Sequence, residues 1–322
     1  MSSLQQTDEQ TRGTTTTVQP EAPTETGSMA ASPLTMAALF FAAESILGPN
    51  RAWNPGGNPA HAERQTEAAR WYTALRDRVP ALPEVETLAA WTAHEINAFL
   101  AAHGFTVELE PFGPDSFGVA AITDFPVLWP EEARGQMMWV ESIDEARPGF
   151  VLDADWITSS SPTVDRDATF WVRTQTDDAL GVAMIARPES TEALLAEVRR
   201  RMSEPAHAIG GLGCEVQLPC VDIDIQPDVS YLLEMWTTQE GTGQKATVMQ
   251  AVMQAIFRMN RKGARSRIAM AAEISLECCT PEQPQLVTFN RPFVVWMQRP
   301  GLDVPLCAYY VDPADWKEPA EL

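Results

Sequence analysis

The sequence predicts an α+β fold, with helices near the N-terminus and a largely antiparallel strand system after them. Two observations indicate this class. Apolar side chains recur with helical spacing before Phe105, whereas short apolar runs bounded by polar and turn residues dominate after it. Helices followed by consecutive strands are typical of α+β domains, because α/β folds alternate the two kinds of element.

The first predicted helix is the most apolar segment of the chain. Ser32 and Pro33 are a capping residue followed by a proline at the first helical position, and Gly48 and Pro49 end the segment. Residues 36–47 are apolar nearly all round, so we expect this helix to be buried. Further helices are predicted at residues 61–78, 85–102 and 191–202, with a short one at 228–235.

The strands are predicted from short apolar runs that carry polar residues on one face. We expect them at residues 106–109, 119–125, 137–140, 168–174, 180–186, 215–219, 222–225, 252–259, 294–298 and 304–311. Residues 1–27 form a Thr-, Glu- and Pro-rich tail with almost no large apolar side chain, which predicts disorder. The remaining chain, 28–322, is expected to fold as a single domain.

Charge and cysteine usage exclude several classes of partner. The net charge of −21 argues against nucleic acid and against an anionic membrane as partners, since both require a basic surface. No apolar run is long enough for a spanning helix, and residues 1–19 lack the apolar stretch of a signal peptide. An odd number of cysteines, crowded into the C-terminal half, is not a disulfide framework. We therefore expect a cytoplasmic protein, with secretion by a route without a classical signal left open.

None of the motifs predicts catalysis, a metal site or a cofactor. The histidines form neither a helical pair nor an HExxH motif, so capping or surface roles are expected for them. The glycines at 210, 211 and 213 lack the lysine that follows a phosphate-binding loop, which favours a turn. Cys278 and Cys279 are adjacent and so lack the usual spacer of redox or metal pairs. The histidines considered are His61, His94, His103 and His207.

The C-terminal part of the chain carries a recognisable order of motifs. Leu218-Pro219 opens a strand, and a later strand leads into Asn260-Arg261-Lys262-Gly263. A polar loop then precedes the box Phe289-Asn290-Arg291-Pro292-Phe293, and the last strands close on Asp312-Pro313. This order resembles the end of a serpin, with its hinge glycine, reactive-centre loop and Phe-x-Arg-Pro-Phe box. The matching box residues are Phe289, Arg291, Pro292 and Phe293.

Two weaker matches extend the resemblance toward the N-terminus. Residues 32–37 resemble the serpin segment that opens the buried central helix, and residues 95–100 resemble the helix that lies across the main sheet. The chain is shorter than a typical serpin, and the first helix of that family has no counterpart. The resemblance implies a serpin-like α+β fold with a central, largely antiparallel sheet and an exposed loop at 263–285. The Ala-, Arg- and Pro-rich composition suggests a divergent bacterial member.

The resemblance implies that the loop after Gly263 could insert into the main sheet after cleavage by a peptidase. Strand geometry would then turn Ala264, Ser266, Ile268 and Met270 inward, while the arginines at 265 and 267 face outward. No charge enters the core in this arrangement. Ile268 and Met270 are bulky for a close-packed slot, however, and overpacking of this kind costs about 1–3 kcal/mol.

The scissile bond is expected about fourteen residues beyond the hinge glycine, by the same resemblance. This spacing places it among Ser275, Leu276, Glu277, Cys278 and Cys279. Leu276 would suit a chymotrypsin-like or elastase-like pocket, whereas Glu277 would suit a Glu-specific peptidase. No basic residue lies in this window, which argues against a trypsin-like partner.

Three functions remain open at this point. The first is a serpin-like inhibitor or decoy substrate of a serine-type peptidase. The second is a non-inhibitory serpin-fold protein that binds a partner or a small molecule, and which should tolerate charge at Ser266 and Ile268. The third is a tailoring or cyclising enzyme on a serpin-like scaffold, which would need a deep pocket with titratable groups.

Overall fold

The computed structural model describes residues 27–140, 143–210, 213–264 and 285–322. The α-helices are α1 Pro33–Ala42, α2 Glu44–Leu47, α3 Ala62–Leu75, α4 Ala93–Ala102 and α5 Thr191–Met202. Single 3₁₀ turns lie at Val79–Ala81, Ala154–Trp156, Ser230–Leu232 and Pro313–Asp315. The strands in the first half are β1 Met29–Ala31, β2 Val85–Ala90, β3 Gly118–Thr123, β4 Val127–Leu128, β5 Arg134–Val140, β6 Glu145–Leu152 and β7 Ile157–Ser159.

The second half of the chain contains strands β8 to β18. Together with the earlier strands they form three sheets of four or more strands and two strand pairs. They are β8 Phe170–Arg173, β9 Ala179–Met184, β10 Cys214–Pro219, β11 Val221–Ile225, β12 Trp236–Thr238, β13 Lys245–Thr247, β14 Ala255–Asn260, β15 Gly263–Ala264, β16 Gln285–Thr288, β17 Phe293–Gln298 and β18 Cys307–Val311. Most neighbouring strands are antiparallel, which confirms the predicted α+β class.

Helix α1 lies in the middle of the molecule, as its apolar sequence predicts. The Ser32 hydroxyl caps the helix by accepting from the Thr35 amide, and Pro33 occupies the first helical position. Leu34 and Ala38 pack into one buried cluster, whereas Met36 and Phe40 pack into another. The helix therefore joins the two largest parts of the core.

Two sheets contain ten of the eighteen described strands. A six-stranded antiparallel sheet has the order β1-β18-β17-β9-β8-β7 and is buried over almost the whole of β17 and β18. A four-stranded sheet has the order β16-β10-β6-β5, in which β16 runs parallel to β10 and the other pairs are antiparallel. This second sheet receives the chain at Gln285.

Six further strands form two separate pieces of sheet with a gap between them, and we call the two pieces together the main sheet. One part has the order β11-β14-β15-β4, and the other is the antiparallel pair β2-β3. β4 follows β3 in the chain after a short break at residues 124–126, so the two parts are joined at one end only. The gap between β3 and β14 is the most distinctive feature of the fold.

The structure corrects three of the sequence predictions. The helix expected at 85–102 is wrong in its first half, where β2 pairs with β3 along its whole length before Thr92 caps α4. The strand expected at 106–109 is absent from the described residues, because side-chain amides rather than a neighbouring strand bind this backbone. The helix expected at 228–235 shrinks to one 3₁₀ turn, Ser230–Leu232.

Several expectations concern residues that the structure does not describe. The predicted disordered tail lies outside the described residues up to residue 26, and the glycine turn at 210–213 is described only in part. The extent of the single domain, 28–322, stays a prediction. Within the described ranges, no helix combines the length and the apolar character needed to cross a bilayer.

Candidate functional site

The predicted hinge residues Gly263 and Ala264 form the short strand β15. This strand lies between β14 and β4 and is antiparallel to both, with Ala264 opposite Met259 on one side and Val127 on the other. Ala264 is fully buried. The hinge role of both residues stays a prediction.

Gly263 occupies a position at which the backbone of β4 leaves no room for a side chain. A Cβ atom there would overlap the Val127 carbonyl oxygen and would lie 3.1 Å from the Leu128 Cα. Both obstacles are backbone atoms, which cannot move aside as a flexible side chain can. The close approach of β15 to β4 therefore requires glycine at this position.

Beyond β15 the two parts of the sheet diverge and enclose a cleft of about 890 Å³. β3 pairs with β2 on one side, and β14 pairs with β11 on its far side. Within the part of the chain that the structure describes, no strand pairs with the facing edge of β3 or with the edge of β14 at residues 255–258. The cleft is therefore bordered by two strand edges with backbone groups available for pairing.

A chain of three hydroxyl groups crosses the floor of the cleft. The Ser32 hydroxyl donates to the Leu306 carbonyl at 3.0 Å, and it lies 2.6 Å from the Thr35 hydroxyl. The Thr35 hydroxyl lies in turn 2.8 Å from the Thr123 hydroxyl on β3. These bonds attach β3 to the N-terminus of α1 and so fix one wall of the cleft.

Side-chain amides hold an extended segment, residues 106–110, against the far end of the cleft. The side-chain oxygen Oε1 of Gln254 accepts from the Thr106 backbone amide at 2.8 Å. Oε1 of Gln250 accepts from the Glu110 backbone amide at 2.9 Å. Asn97 on α4 exchanges two hydrogen bonds of 2.9 Å with the Leu109 backbone. We call this set, Asn97, Gln250 and Gln254, the amide clasp.

One arginine ties the β2–β3 part to the six-stranded sheet. Arg299 follows β17 and donates to both carboxylate oxygens of Asp178, each at 2.7 Å, and to Glu84 at 2.7 Å. The hydrogen bond from Arg299 holds the pKa of Glu84 below its ordinary value, although burial acts in the opposite direction. Glu84 precedes β2, so this contact sets the position of the β2–β3 wall.

The β14 wall of the cleft is stabilised by contacts with Tyr309 on its inner side. Its ring stacks on Phe257 of β14 with centroids 4.8 Å apart, and its hydroxyl donates to the Ile256 carbonyl at 3.4 Å. Burial raises the pKa of Tyr309 well above its ordinary value, so the hydroxyl stays protonated and keeps donating. On the outer face, Arg258 donates to Asp222 at 3.1 Å, which ties β14 to β11.

Within the ranges described, the site holds none of the common catalytic arrangements. His103 lies 3.3 Å from Glu86 at the surface, and its Nδ1 faces the Phe99 carbonyl rather than a nucleophile. Burial raises the pKa of the Cys214, Cys220 and Cys307 thiols, in the last case to about 12, which disfavours the reactive thiolate. The residues that the structure describes contain no group of three or more ligands suited to a metal ion.

Known proteins resemble this chain in structure rather than in sequence. No family model matches it, and no curated protein matches it in sequence. Serpin48 from the insect Tenebrio molitor matches with a TM-score of 0.52 at 13% identity, covering 89% of this chain and 92% of its own. Thyroxine-binding globulin in complex with thyroxine matches with a TM-score of 0.54 at 10% identity, covering 91% and 94%. The native thermophilic serpin tengpin matches with a TM-score of 0.53 at 11% identity, covering 89% of each chain.

The chain has the serpin fold. The resemblance inferred from the C-terminal motifs is thereby confirmed at the level of the fold. The match covers most of this chain and of each of these structures.

The box residues of the serpin resemblance connect two sheets. The Phe289 amide donates to the Gln217 carbonyl at 2.9 Å, and the Pro292 carbonyl accepts from the Ile185 amide at 3.2 Å. The rings of Phe289 and Phe293 are buried and meet edge to face with centroids 5.6 Å apart. Arg291 is exposed and bonds Asp167 at 2.7 Å. The box therefore fixes the chain where it passes from β16 into β17.

The other predicted site residues lie outside the described residues. These are the remaining hinge positions Ser266, Ile268 and Met270, and the candidate scissile residues Ser275, Leu276, Glu277, Cys278 and Cys279.

Sequence reasoning missed the residues that line the cleft. Thr35 and Thr123 meet from positions far apart in the chain, and neither belongs to a catalytic motif. Gln250 and Gln254 are four residues apart in a segment expected in part to be strand, and nothing local distinguishes them from solvated polar residues.

Removing the amide clasp should loosen residues 106–110 selectively. We expect the double variant Gln250→Met and Gln254→Met to increase the hydrogen-exchange rate of the Thr106 and Glu110 amides about tenfold, since each loses its acceptor. Exchange can be measured on the peptide that spans these residues. Gln136→Met on β5 is the control, because this exposed side chain lies outside the cleft. Equal exchange in the double variant and the control would contradict the clasp.

Proposed function

We propose that this chain presents residues 265–284 to a serine-type peptidase as a reactive-centre loop, and that the cleaved loop inserts between β3 and β14. The observation that carries the proposal is the place of β15. This strand already lies between β14 and β4 and is paired with both. A chain that continued in the same direction from Ala264 would enter the cleft as a new central strand.

The register of β15 supports insertion when it is extended into the cleft. Continued pairing with β14 and with the β3–β4 wall would place Ser266 between Phe257 and Phe125. Both of these rings contribute to the large core cluster, so Ser266 would face inward with Ala264. An inward Ser266 is also what the sequence analysis expects, and this supports the proposal.

The same register also provides space for Ile268 and Met270, the bulky side chains of the hinge. Ile268 would lie between Ala255 and Thr123, and Met270 would lie beside Ala121, so both large side chains meet small neighbours. The cleft between the described walls has a volume of about 890 Å³. The overpacking expected in a closed sheet thus becomes the filling of an existing space, which stabilises rather than strains a core.

The charged residues of the extended register lie on the outer face. Arg267 would lie opposite Asp124, and cross-strand pairs of opposite charge are favourable. Arg265 would lie opposite Arg258, whose charge Asp222 offsets at 3.1 Å. Neither arginine would enter the core.

Both ends of the proposed loop are anchored in different sheets. Its N-terminal end is β15 in the main sheet, and its C-terminal end is β16, which pairs with β10 from the Cys214–Gln285 position onward. Cleavage within residues 275–279 would leave the C-terminal part in its own sheet and release the N-terminal part. An inserting strand then needs no change in the second sheet.

The test is to mix the chain with chymotrypsin-like, elastase-like, subtilisin-like and Glu-specific peptidases. We expect a denaturant-stable adduct on gels, and intact mass should show a C-terminal fragment released by cleavage within residues 275–279. Cleavage there without an adduct and without a rise in thermal stability would overturn insertion.

Two lysine variants of opposite parity separate insertion from simple cleavage. Ser266→Lys would bring a charge between Phe257 and Phe125, so we expect cleavage to continue while the adduct is lost. Ala269→Lys adds the same charge on the outer face and should keep the adduct. Equal adduct yields from both variants would contradict the proposed register.

A further inference from the structure

The cleft between β3 and β14 has the size and lining of a small-molecule site in the uncleaved protein. Its volume of about 890 Å³ falls within the range of roughly 300–1,000 Å³ that is typical of ligand pockets. Apolar side chains from several elements line it, namely Leu39, Val107, Phe112, Met253 and Ile256. An apolar molecule would thus find walls on α1, on both sides of the gap and on the segment held by the amide clasp.

The hydroxyl chain on the floor has a fixed direction of donation. Ser32 has one hydroxyl proton and gives it to the Leu306 carbonyl, so it must accept from Thr35. Thr35 has then used its own proton, so it must accept from Thr123. Thr123 is left at the end of the chain as an acceptor, and it lines the cleft. A ligand group beside Thr123 is therefore recognised if it donates a hydrogen bond.

The charge of the chain as a whole disfavours an anion in the cleft. Glu84 lines the cleft near Thr123, but Arg299 bonds its carboxylate at 2.7 Å and offsets its charge. The whole chain carries a net charge of −21. A carboxylate or phosphate ligand would therefore meet like charge at long range.

We propose that the cleft of the uncleaved protein binds a neutral, apolar small molecule with a hydroxyl or N–H group at one end, which donates to the Thr123 hydroxyl oxygen. This inference goes beyond the proposed function, since it requires neither a peptidase nor an inserted loop. The two uses exclude each other, because the ligand would occupy the space that Ile268 and Met270 need.

A matched pair of probes tests the donor requirement. 2-Naphthol has an aromatic body with one hydroxyl donor, and 2-methoxynaphthalene has the same body without the donor. We expect saturable one-to-one binding of 2-naphthol to the full chain, measured by calorimetry and by a rise in Tm, with about fivefold weaker binding of the methyl ether. Equal affinities for the two probes, or no saturable binding of either, would overturn the inference.

Three variants locate the site. Thr123→Val keeps the shape of the side chain and removes the acceptor, so it should abolish the preference for 2-naphthol. Ala121→Trp fills the cleft and should abolish binding of both probes. Thr158→Val on β7 is the control, because it is a half-buried strand threonine outside the cleft and should leave both affinities unchanged. A retained preference in Thr123→Val would overturn the donor assignment even if Ala121→Trp failed to fold.

These measurements use no peptidase, so their outcome is separate from that of the adduct experiment. Binding of 2-naphthol in the cleft without adduct formation would contradict the insertion proposal and support the ligand site. Adduct formation without binding of either probe would support insertion and contradict the ligand site.

Discussion

Replacing Gly263 by alanine should lower the free energy of unfolding by about 2–3 kcal/mol, because the new methyl group collides with backbone rather than with a mobile side chain. The Val127 carbonyl and the Leu128 Cα occupy the space that the Cβ would need. Relief requires β15 to separate from β4, which breaks the pairing that holds β4 in the sheet with β15, β14 and β11. The separation would also expose Ala264, which is fully buried in the native chain.

Chemical denaturation of the wild type and Gly263→Ala gives the stability difference. Gly135→Ala is the matched control, since this strand glycine on β5 has its nearest obstacle at 3.7 Å, a side-chain carbon of Arg261. We expect the control to change stability by less than about 0.5 kcal/mol. If Gly263→Ala is as stable as the control, the close approach of β15 to β4 is not a feature of the folded chain.

The same substitution should reduce adduct formation if the proposed insertion begins at β15. A separated β15 no longer starts the new strand. The ester bond that joins the cleaved loop to the peptidase would then be hydrolysed before the loop inserts. We expect a higher ratio of cleaved chain to adduct in Gly263→Ala than in Gly135→Ala. An unchanged ratio would show that insertion does not begin from this paired hinge.

Local signals in the sequence predicted those elements whose cause is local. Ser32 and Pro33 begin α1 through a cap and a proline that act within one helical turn. Residues 191–202 form a helix with the predicted bounds, because Ser190 caps α5 and the last turn carries Arg199, Arg200 and Arg201. The C-terminal strands were predicted close to their observed bounds because their apolar runs are short and strongly apolar.

Predictions failed where partners distant in the chain decide the conformation. Residues 85–90 contain Leu88 and alanines that suit a helix, yet they form β2 because β3 supplies a complete set of backbone partners. Residues 106–109 alternate like a strand, but the amide clasp satisfies their backbone and no described strand pairs with them. Neither outcome has a signal within the segment itself.

The candidate site shows the same difference between features with a local cause and features that depend on distant residues. The sequence singled out Gly263 by its motif, but the close approach of the β4 backbone that requires glycine there is visible only in the structure. The cleft could not be predicted, because its floor and walls join Thr35, Thr123 and Ile256 from three separate parts of the chain. A space between strands is a property of the assembled sheet, and no sequence period encodes it.

Replacing Arg299 by methionine should lower the free energy of unfolding by about 2–3 kcal/mol at neutral pH, since it leaves two partly buried carboxylates without their cation. Arg299 bonds both carboxylate oxygens of Asp178 and both of Glu84, and the three side chains are between 11% and 25% exposed. Methionine keeps much of the aliphatic packing, so the loss is mainly electrostatic. Arg291→Met is the control, because its bond to Asp167 is exposed and should contribute less than about 1 kcal/mol.

The penalty of Arg299→Met should shrink in acid. The pKa of Glu84 is lowered in the folded chain, first through the hydrogen bond from Arg299, so this pair stabilises the fold above the unfolded pKa of a glutamate. That stabilisation is lost as the pH falls from about 4.5 through the lowered folded value. In the variant, Glu84 has lost its cation, and protonation of Glu84 removes a partly buried charge that nothing offsets.

Denaturation curves at several pH values between about 7 and 3 test this dependence. We expect the stability gap between the wild type and Arg299→Met to be constant near neutral pH and to narrow below about pH 4.5. A gap that is independent of pH would mean that Arg299 acts through packing alone. Because Glu84 leads into β2, the variant should also weaken the β3 wall of the cleft, and Arg291→Met should not. The affinity for 2-naphthol at neutral pH would then fall in Arg299→Met only, which connects this ion pair to the shape of the site.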